Sequence, residues 1–587
     1  MYIETINSPY DLKKLSIDEC RKLADEIRNI LIYKTSKVGG HLGSNLGVIE
    51  ATIALHYVFE SPKDKIIFDV SHQCYTHKIL TGRKDAFIDP NRYNTVSGYT
   101  CPEESKHDIF QVGHTATSIS LASGMAKARD LKDEKYNVIA FIGDGALSGG
   151  EALEGLDFAG SELKSNFIVV FNDNQMSIAE NHGGIYQHLE VLRKTKGQAE
   201  NNIFRAFGYD YYYVEEGNCL KQLIDVFKKV KDIDHPVVIH ICTKKGNGYS
   251  YAEINQEECH WVRPFDINIG PKKNLPTGER YDVIVRDYLI QKMKSDVKVA
   301  TIIAAVPDSL SFLPEKRAEI GKQFIDCGIA EEHAVALAAG MAKNGVKPVF
   351  VTFSSFFQRT YDQINQEMCI NKCPATLIVI NASVYAVNDV THVGIFDIPL
   401  LGNIPNLVYL APTNKEEYLA MLDWSIEQDE FPVAVRAPRN GVYHSRYAID
   451  ANYSKLNKFI VEQQGSQVAV IALGDFFQIG EQVTALLEEY LEIKATLINP
   501  RYISGIDREL LQEIAKNHKV IVTLEDGILE GGFGEKIASF YGKDRRIAVL
   551  NYGLRKEFLD RYDLEKVMQS NRLVPELIVE DIKMVLK

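Results

Sequence analysis

Four short runs of uninterrupted apolar, β-rich residues, at 66–70, 138–142, 167–171 and 237–242, constrain this chain most. A strand with one wet face alternates apolar and polar residues, whereas a run that is apolar throughout is buried on both faces. Each run ends in turn or polar residues and is separated from the next by helical stretches, which predicts a parallel sheet covered on both sides. Between 16 and 33 the apolar residues recur at helical spacing, and Ser16 with Glu19 three residues later marks a capped helix start.

At 587 residues the chain exceeds what one core supports, and roughly three or four domains are expected. Residues 244–276 lose periodicity and gather Gly, Pro, Asn and Lys, which predicts a linker. A second α/β unit follows, with helices at 281–293 and 331–343 and strands at 299–304, 348–353, 376–380 and 407–411. After an irregular stretch at 438–462, a third unit opens with strand 468–473, helix 479–490, and strands 495–499 and 520–524. The expected architecture is therefore α/β with three domains: 1–262, 281–440 and 463–587, joined by linkers 263–280 and 441–462.

The formal charge of -13 argues against a general nucleic-acid or membrane-surface partner, since both favour a basic face. It leaves room for a local basic pocket that binds a small phosphorylated substrate. Nine scattered cysteines without a compact framework fit a reducing compartment. The first residues lack the apolar core of a signal peptide, and no run of about 18 apolar residues suggests a membrane span. The expected location is the cytoplasm.

The segment most informative about chemistry is 137–151, NVIAFIGDGALSGGE, followed by 167–178, FIVVFNDNQMSI. A strand delivers Gly143-Asp144-Gly145 to its C-terminal end, the edge where open α/β sheets bind ligands. Glycines permit close backbone approach to a diphosphate, and a helix starting near Gly150 points its N-terminus at that anion. About 28 residues after Asp144, the next strand ends in Asn172-Asp173-Asn174. A carboxylate and a carboxamide oxygen side by side are hard ligands suited to Mg²⁺. A lone Gly-Asp-Gly is usually a turn, but with strands before both halves the pattern resembles the thiamine-diphosphate fingerprint. Such a site also needs a carboxylic acid to share the aminopyrimidine proton, and burial near an apolar ring equips a Glu for that. Glu331 and Glu332, at the start of an apolar helix in DCGIAEEHAV (326–335), both qualify. A Glu at a helix start is also accounted for by the helix dipole alone.

The segments 39–50 (GGHLGSNLGVIE), 69–83 (DVSHQCYTHKILTGR), 112–120 (VGHTATSIS), both fingerprint halves and 328–335 (GIAEEHAV) together resemble the 1-deoxy-D-xylulose-5-phosphate synthase family. FSSFFQRTYDQ (353–363) and THVGIFD (391–397) extend the resemblance, which runs from about Ser8 to the C-terminus in the family's domain order. Transketolases share the architecture but match these motifs less well. The resemblance implies a three-domain, transketolase-like fold, thiamine diphosphate and Mg²⁺ as cofactors, a homodimer, and condensation of pyruvate with an aldehyde. It further implies that Asp144, Asn174 and the Met176 carbonyl bind Mg²⁺. His77, Gly113, His114, Thr115, Gly145, Ala146, Asn174, Tyr281 and Phe356 would contact the cofactor, with Phe356 stacked on its pyrimidine ring. Glu331, rather than Glu332, takes the aminopyrimidine proton. His41, His260 and His392 match residues lining the substrate side, where imidazoles stabilise a developing alkoxide and move protons.

The sequence departs from the family on the acceptor side. An Arg that follows the strand 376–380 in the family is Ala382 here, and a Tyr on the preceding strand is Phe353. An Asp is replaced by Asn388, and two further Arg positions fall at Pro102 and Gly402, while Arg359 and Arg439 remain as candidate phosphate ligands. The region after Asn181 is roughly thirty residues shorter than the family pattern, which implies a differently gated mouth. Arg forks bind phosphate through charge-assisted contacts, each worth about 1.5–3 kcal/mol. Two accounts stay open: drift compensated by other basic residues, or a paralogue with another acceptor aldehyde.

Overall fold

The computed structural model describes residues 1–271 and 278–587, which fall into two compact units. One comprises the residues before the undescribed stretch together with Gly328–Ala330; the other comprises the remainder up to Cys327 and Glu331–Lys587.

The sheet of the first unit contains β1 (Lys65–Phe68), β2 (Val138–Gly143), β3 (Phe167–Asp173), β4 (Asp210–Val214) and β5 (Pro236–Cys242). All pairings are parallel, in the order β1-β2-β3-β5-β4. The central strands β2 and β3 are buried almost along their whole length, as continuous apolar runs require. The helix Ile17–Val38 starts on the Ser16–Glu19 capping box. A second helix, Ser118–Leu131, has its first turn held by Asp69, whose carboxylate accepts from Ala116 N and Ser118 N. Because Asp69 follows β1, this cap ties the segment 112–115 to the C-terminal edge of the sheet.

The stretch 244–276, expected to be a linker, is folded into this unit over its described part. Ser250–Ile254 is a helix, and Trp261–Val262 pairs antiparallel with Gly40–His41. Gly43 N donates to Cys259 O, Phe265 N to Ser36 O, and the Tyr249 hydroxyl to Ile267 O. The missing periodicity reflects short elements satisfied by side chains and long-range contacts. The expected linker 263–280 falls partly on 272–277, outside the described residues.

The second unit carries two sheets. The first contains β6 (Val299–Ile303), β7 (Phe324–Asp326), β8 (Lys347–Phe353), β9 (Thr376–Ile380), β10 (Val408–Leu410) and β11 (Val433–Arg436), in the order β10-β11-β9-β8-β6-β7, all parallel. The second contains β12 (Ile460–Gln463), β13 (Gln467–Ala472), β14 (Thr496–Asn499), β15 (His518–Ile528) and β16 (Ala548–Leu554), in the order β12-β14-β13-β15-β16, with only the edge strand β12 antiparallel. One apolar cluster draws on both sheets, joining Phe350 and Leu377 to Ile471 and Ile521. A buried polar bridge also joins them. Arg436, at the end of β11, donates to Asp397 at 2.7 Å through Nε and to Asp526 on β15, and the Tyr409 hydroxyl also donates to Asp397.

Candidate active site

The β2–β3 register pairs Gly143 with Asn172, and Asp144 N donates to Asn172 O at 3.0 Å. Asp144 and the Asn172–Asn174 turn therefore leave the same edge of the sheet. Asp144 is 1 % exposed; burial, with the neighbouring Asp173 carboxylate, pushes its carboxyl up to about 7. Asn181 donates from Nδ2 to Asp144 Oδ2 at 2.7 Å, and its own Oδ1 is buried without a hydrogen-bond partner among the described residues. A carboxylate short of compensating charge beside an orphaned amide oxygen is a donor set that fits a hard divalent cation. Asn174 lies on the same turn, its Oδ1 accepting from Met176 N. The cluster Asp173, His240 and Cys242 also brings ligand atoms within 4.8 Å of one another, but Arg193 pairs with Asp173 at 2.5 Å and already supplies a positive charge there.

The glycines of the fingerprint answer to contact distance. A Cβ on Gly145 would lie 3.0 Å from Ser177, and one on Gly149 would lie 2.5 Å from the Ala116 side chain. Ala146 opens a short 3-10 turn between them, and the helix Gly150–Glu162 begins directly afterwards. Its N-terminal N–H groups thus belong to the same edge as Asp144. The short segment after Asn181 leads straight into the helix Gly184–Lys194, whose Tyr186 hydroxyl donates to Asp144 O at 3.1 Å. That contact fastens the segment onto the fingerprint itself.

Lys245 was not apparent in the sequence, where KKG reads as a surface turn. Its ammonium is buried and donates to Ser177 O at 2.5 Å and Ile178 O at 3.4 Å, and so holds the loop that carries Met176. Burial lowers its pKa to about 8, while the Asp144 charge opposes that shift. Its buried positive charge lies near the Asp144 carboxyl.

Three imidazoles gather in the same unit: His41, His72 and His260, with ring centroids 5.0–5.6 Å apart. The His41↔Trp261 strand pair brings His260 beside His41. Asn45 Nδ2 donates to both His41 O and His72 O at 2.8 Å, pinning the two loops together. Burial, followed by the charges of Lys245, His72 and His41, drives the His260 pKa well down, so this imidazole is neutral.

His77, expected to touch the cofactor, does not join this cluster. It is 0 % exposed and uses both ring nitrogens internally, on His56 at 2.9 Å and Asp108 at 2.8 Å. Asp108 is itself gripped by Arg83. His72, five residues earlier in the same motif, joins the cluster with His41 and His260 instead. The helix Tyr75–Lys78 turns His77 into the core. Gly113, His114 and Thr115 lie in the loop fastened by Asp69, where Ala116 takes a positive φ of 72°.

In the second unit Glu331 opens the helix Glu331–Lys343 and is 3 % exposed. Burial raises its pKa to about 7, against the opposing charge of Arg359, whose Nη1 lies 3.7 Å from Glu331 Oε2. Among the described residues that oxygen has no hydrogen-bond partner, as suits a carboxyl kept for another molecule. Glu332 is less buried and shows no comparable environment. Phe356 stacks on Phe353, with centroids 5.0 Å apart and planes at 15°, and His392 meets Phe356 edge-on at 5.6 Å. His392 Nδ1 faces the Thr391 hydroxyl at 2.8 Å, beside Asp389. Tyr281, expected at the cofactor, packs its ring on Tyr418, and its buried phenol lies near Asp475. Arg439 follows β11, with its backbone N–H on Asp475. Ala382 is 0 % exposed within an apolar cluster, so an Arg placed there has no cavity to enter.

A strand edge carrying Asp144 at a helix start in one unit, and a buried near-neutral Glu331 in the other, are the features a transketolase-like, thiamine-diphosphate-dependent transferase requires. Residues 3–200 and 191–243 match the model described as 1-deoxy-D-xylulose-5-phosphate synthase, 281–443 the transketolase pyrimidine-binding domain, and 457–575 the transketolase C-terminal domain. The chain is 39 % identical over 620 aligned residues to the 1-deoxy-D-xylulose-5-phosphate synthase of Caldanaerobacter subterraneus subsp. tengcongensis, covering 99 % of this chain and 98 % of that relative. Against the enzyme of that name from Clostridium acetobutylicum it is 39 % identical over 591 residues, covering 94 % and 95 %. The chain belongs to the 1-deoxy-D-xylulose-5-phosphate synthase family.

Two outcomes follow from this geometry. His72→Ala should weaken thiamine diphosphate binding, read by fluorescence quenching, with little change in the thermal midpoint. His77→Ala should do the reverse and lower the midpoint. For Glu331, a folded-state pKa above the ordinary Glu value means stability is lost as pH rises from about 4.5 to about 7. Glu331→Gln should therefore match the parent in urea unfolding below about pH 4 and exceed it near pH 8 by on the order of 3 kcal/mol. Equal stability of the two at pH 8 would show that the carboxyl is not strained by burial.

Proposed function

We propose that this chain acts as a 1-deoxy-D-xylulose-5-phosphate synthase, condensing pyruvate with D-glyceraldehyde 3-phosphate and releasing CO₂. The observation that carries this reading is the buried Glu331 carboxyl, held near neutrality with Arg359 3.7 Å away, in a chain that also carries the Asp144/Asn174 edge. Mg²⁺ would be held by Asp144, Asn174 and the Met176 carbonyl, with Lys245 and the Gly150 helix start facing the diphosphate. Thiamine diphosphate supplies the electron sink that makes the two-carbon unit nucleophilic. Glu331, with a pKa near neutrality, holds a proton at Oε2 and can both give and accept it. Phe356 orients a flat ring, and Lys245 neutralises anionic charge while fixing the Met176 loop. His41, His72, His260 and His392 supply N–H donors and proton acceptors for the carbonyl oxygens of donor and acceptor. A cytoplasmic homodimer completes the reading; its support is the family resemblance.

A second reading, a paralogue using an unphosphorylated aldehyde, is favoured by one set of observations. Phe353 offers only an aromatic face, and Ala382 is sealed in the core, so two phosphate contacts of the family pattern are absent. Product analysis decides between them. The protein is incubated with Mg²⁺, thiamine diphosphate, ¹³C-labelled pyruvate and a panel of phosphorylated and plain aldehydes, and products are followed by NMR. The expected result is labelled CO₂ and 1-deoxy-D-xylulose 5-phosphate, both lost on chelating the metal. A preference for plain aldehydes would establish the second reading, and no CO₂ release would sink both.

A further inference from the structure

We infer that Asp475 is a positioning residue that sets the phosphate-anchoring loop, an inference that rests on Arg439 being the acceptor-phosphate ligand. Arg439 stands on a short turn past the end of β11. Ala437 N is used by Val379 O of the neighbouring strand, and Pro438 has no N–H to give. The next two donors, Arg439 N and Asn440 N, both go to a single oxygen, Asp475 Oδ2, at 2.7 and 3.3 Å. One carboxylate oxygen thus holds both N–H groups of the turn by which the chain leaves β11.

Asp475 comes from the other sheet of the unit. It lies on the 3-10 turn Gly474–Phe476 directly after β13, where Gly474 takes a positive φ of 54°. It is 4 % exposed, and its neighbours are Asp526, Tyr281 and Tyr385. Asp526 is committed through Oδ1 to Arg436, the last residue of β11. The strand end and the turn after it are thus gripped by two adjacent carboxylates, Asp526 on Arg436 and Asp475 on Arg439 and Asn440. A buried acid with two backbone donors on one oxygen has no role in apolar packing. Its work is to fix the backbone from which the Arg439 fork departs. Burial and the Asp526 charge push Asp475 up to about 7, so its neutral form is accessible and an amide oxygen is a fair substitute acceptor.

The test compares Asp475→Ala, Asp475→Asn and Arg439→Ala with the parent holoenzyme, using D-glyceraldehyde 3-phosphate and plain glyceraldehyde as acceptors. Arg439→Ala should raise the KM of the phosphorylated aldehyde alone. Asp475→Ala should do the same by about tenfold, the cost of misaligning one charge-assisted contact, with the pyruvate KM and the KM of the plain aldehyde within about twofold. Asp475→Asn should restore the KM, because its amide oxygen accepts both N–H groups. If Asp475→Ala does not fold, Asp475→Thr, which keeps one shorter acceptor, is read in its place. A phosphate-selective loss in Arg439→Ala with none in the Asp475 variants would overturn the role of Asp475 alone. No selective loss in Arg439→Ala would remove both the anchor and the inference built on it. Equal losses for the two aldehydes in Asp475→Ala would reduce the residue to general structural support.

Discussion

The pairing of Gly143 with Asn172 is the constraint on which the metal-type edge depends. Because β2 and β3 are parallel neighbours in register, the residues that follow them, Asp144 and the Asn172–Asn174 turn, emerge side by side. A slip of one residue would turn every side chain of one strand to the opposite face and move Asp144 away from the Asn172–Asn174 turn. The apolar run on both strands prevents that slip, since burial on both faces leaves no register in which polar ends could hide. Around this edge the remaining parts are fastened by single polar contacts: Tyr186 and Asn181 on Asp144, Lys245 on the carbonyls after Met176, and Asp69 on the loop 112–118.

The second unit relies on a different device, unfavourable burial held in place by favourable packing. Glu331 lies in apolar surroundings that raise its pKa to about 7, and an apolar cluster shared by two sheets keeps it there. Stability is given up locally where the chemistry needs a proton near neutrality. The bridge from Arg436 to Asp397 and Asp526 works on the same principle. It adds little net energy as a buried ion pair, but it fixes how the strand ends of the two sheets meet, and hence where the turn carrying Arg439 lies.

Much of this was legible in the sequence. The runs at 138–142 and 376–380 read as buried strands because nothing else stays apolar at every position, and the Gly143-Asp144-Gly145 and Asn172–Asn174 segments read as neighbouring strand ends, as the register shows. What escaped did so for physical reasons. Asp210–Val214 carries three tyrosines on a half-exposed edge strand, and Phe324–Asp326 is only three residues long, so neither shows a period. The stretch 244–276 was mistaken for a linker because its order comes from partners some two hundred residues away, such as Cys259 on Gly43. His72 and His77 sit in one motif, but His72 lies in the turn before the helix Tyr75–Lys78 and His77 on the helix, facing the core, which no pattern of residue types encodes. Lys245 became visible only once burial showed it was not a surface lysine.

The most direct measurement of the central claim is the rate of hydrogen–deuterium exchange at the thiazolium carbon of bound thiamine diphosphate, followed by NMR in D₂O. With Mg²⁺ present, the parent should exchange that hydrogen far faster than free cofactor does, and Glu331→Gln, with cofactor still bound, should fall back towards the free rate. Exchange undiminished in Glu331→Gln would contradict the account, because the buried acid would then have no part in activating the cofactor.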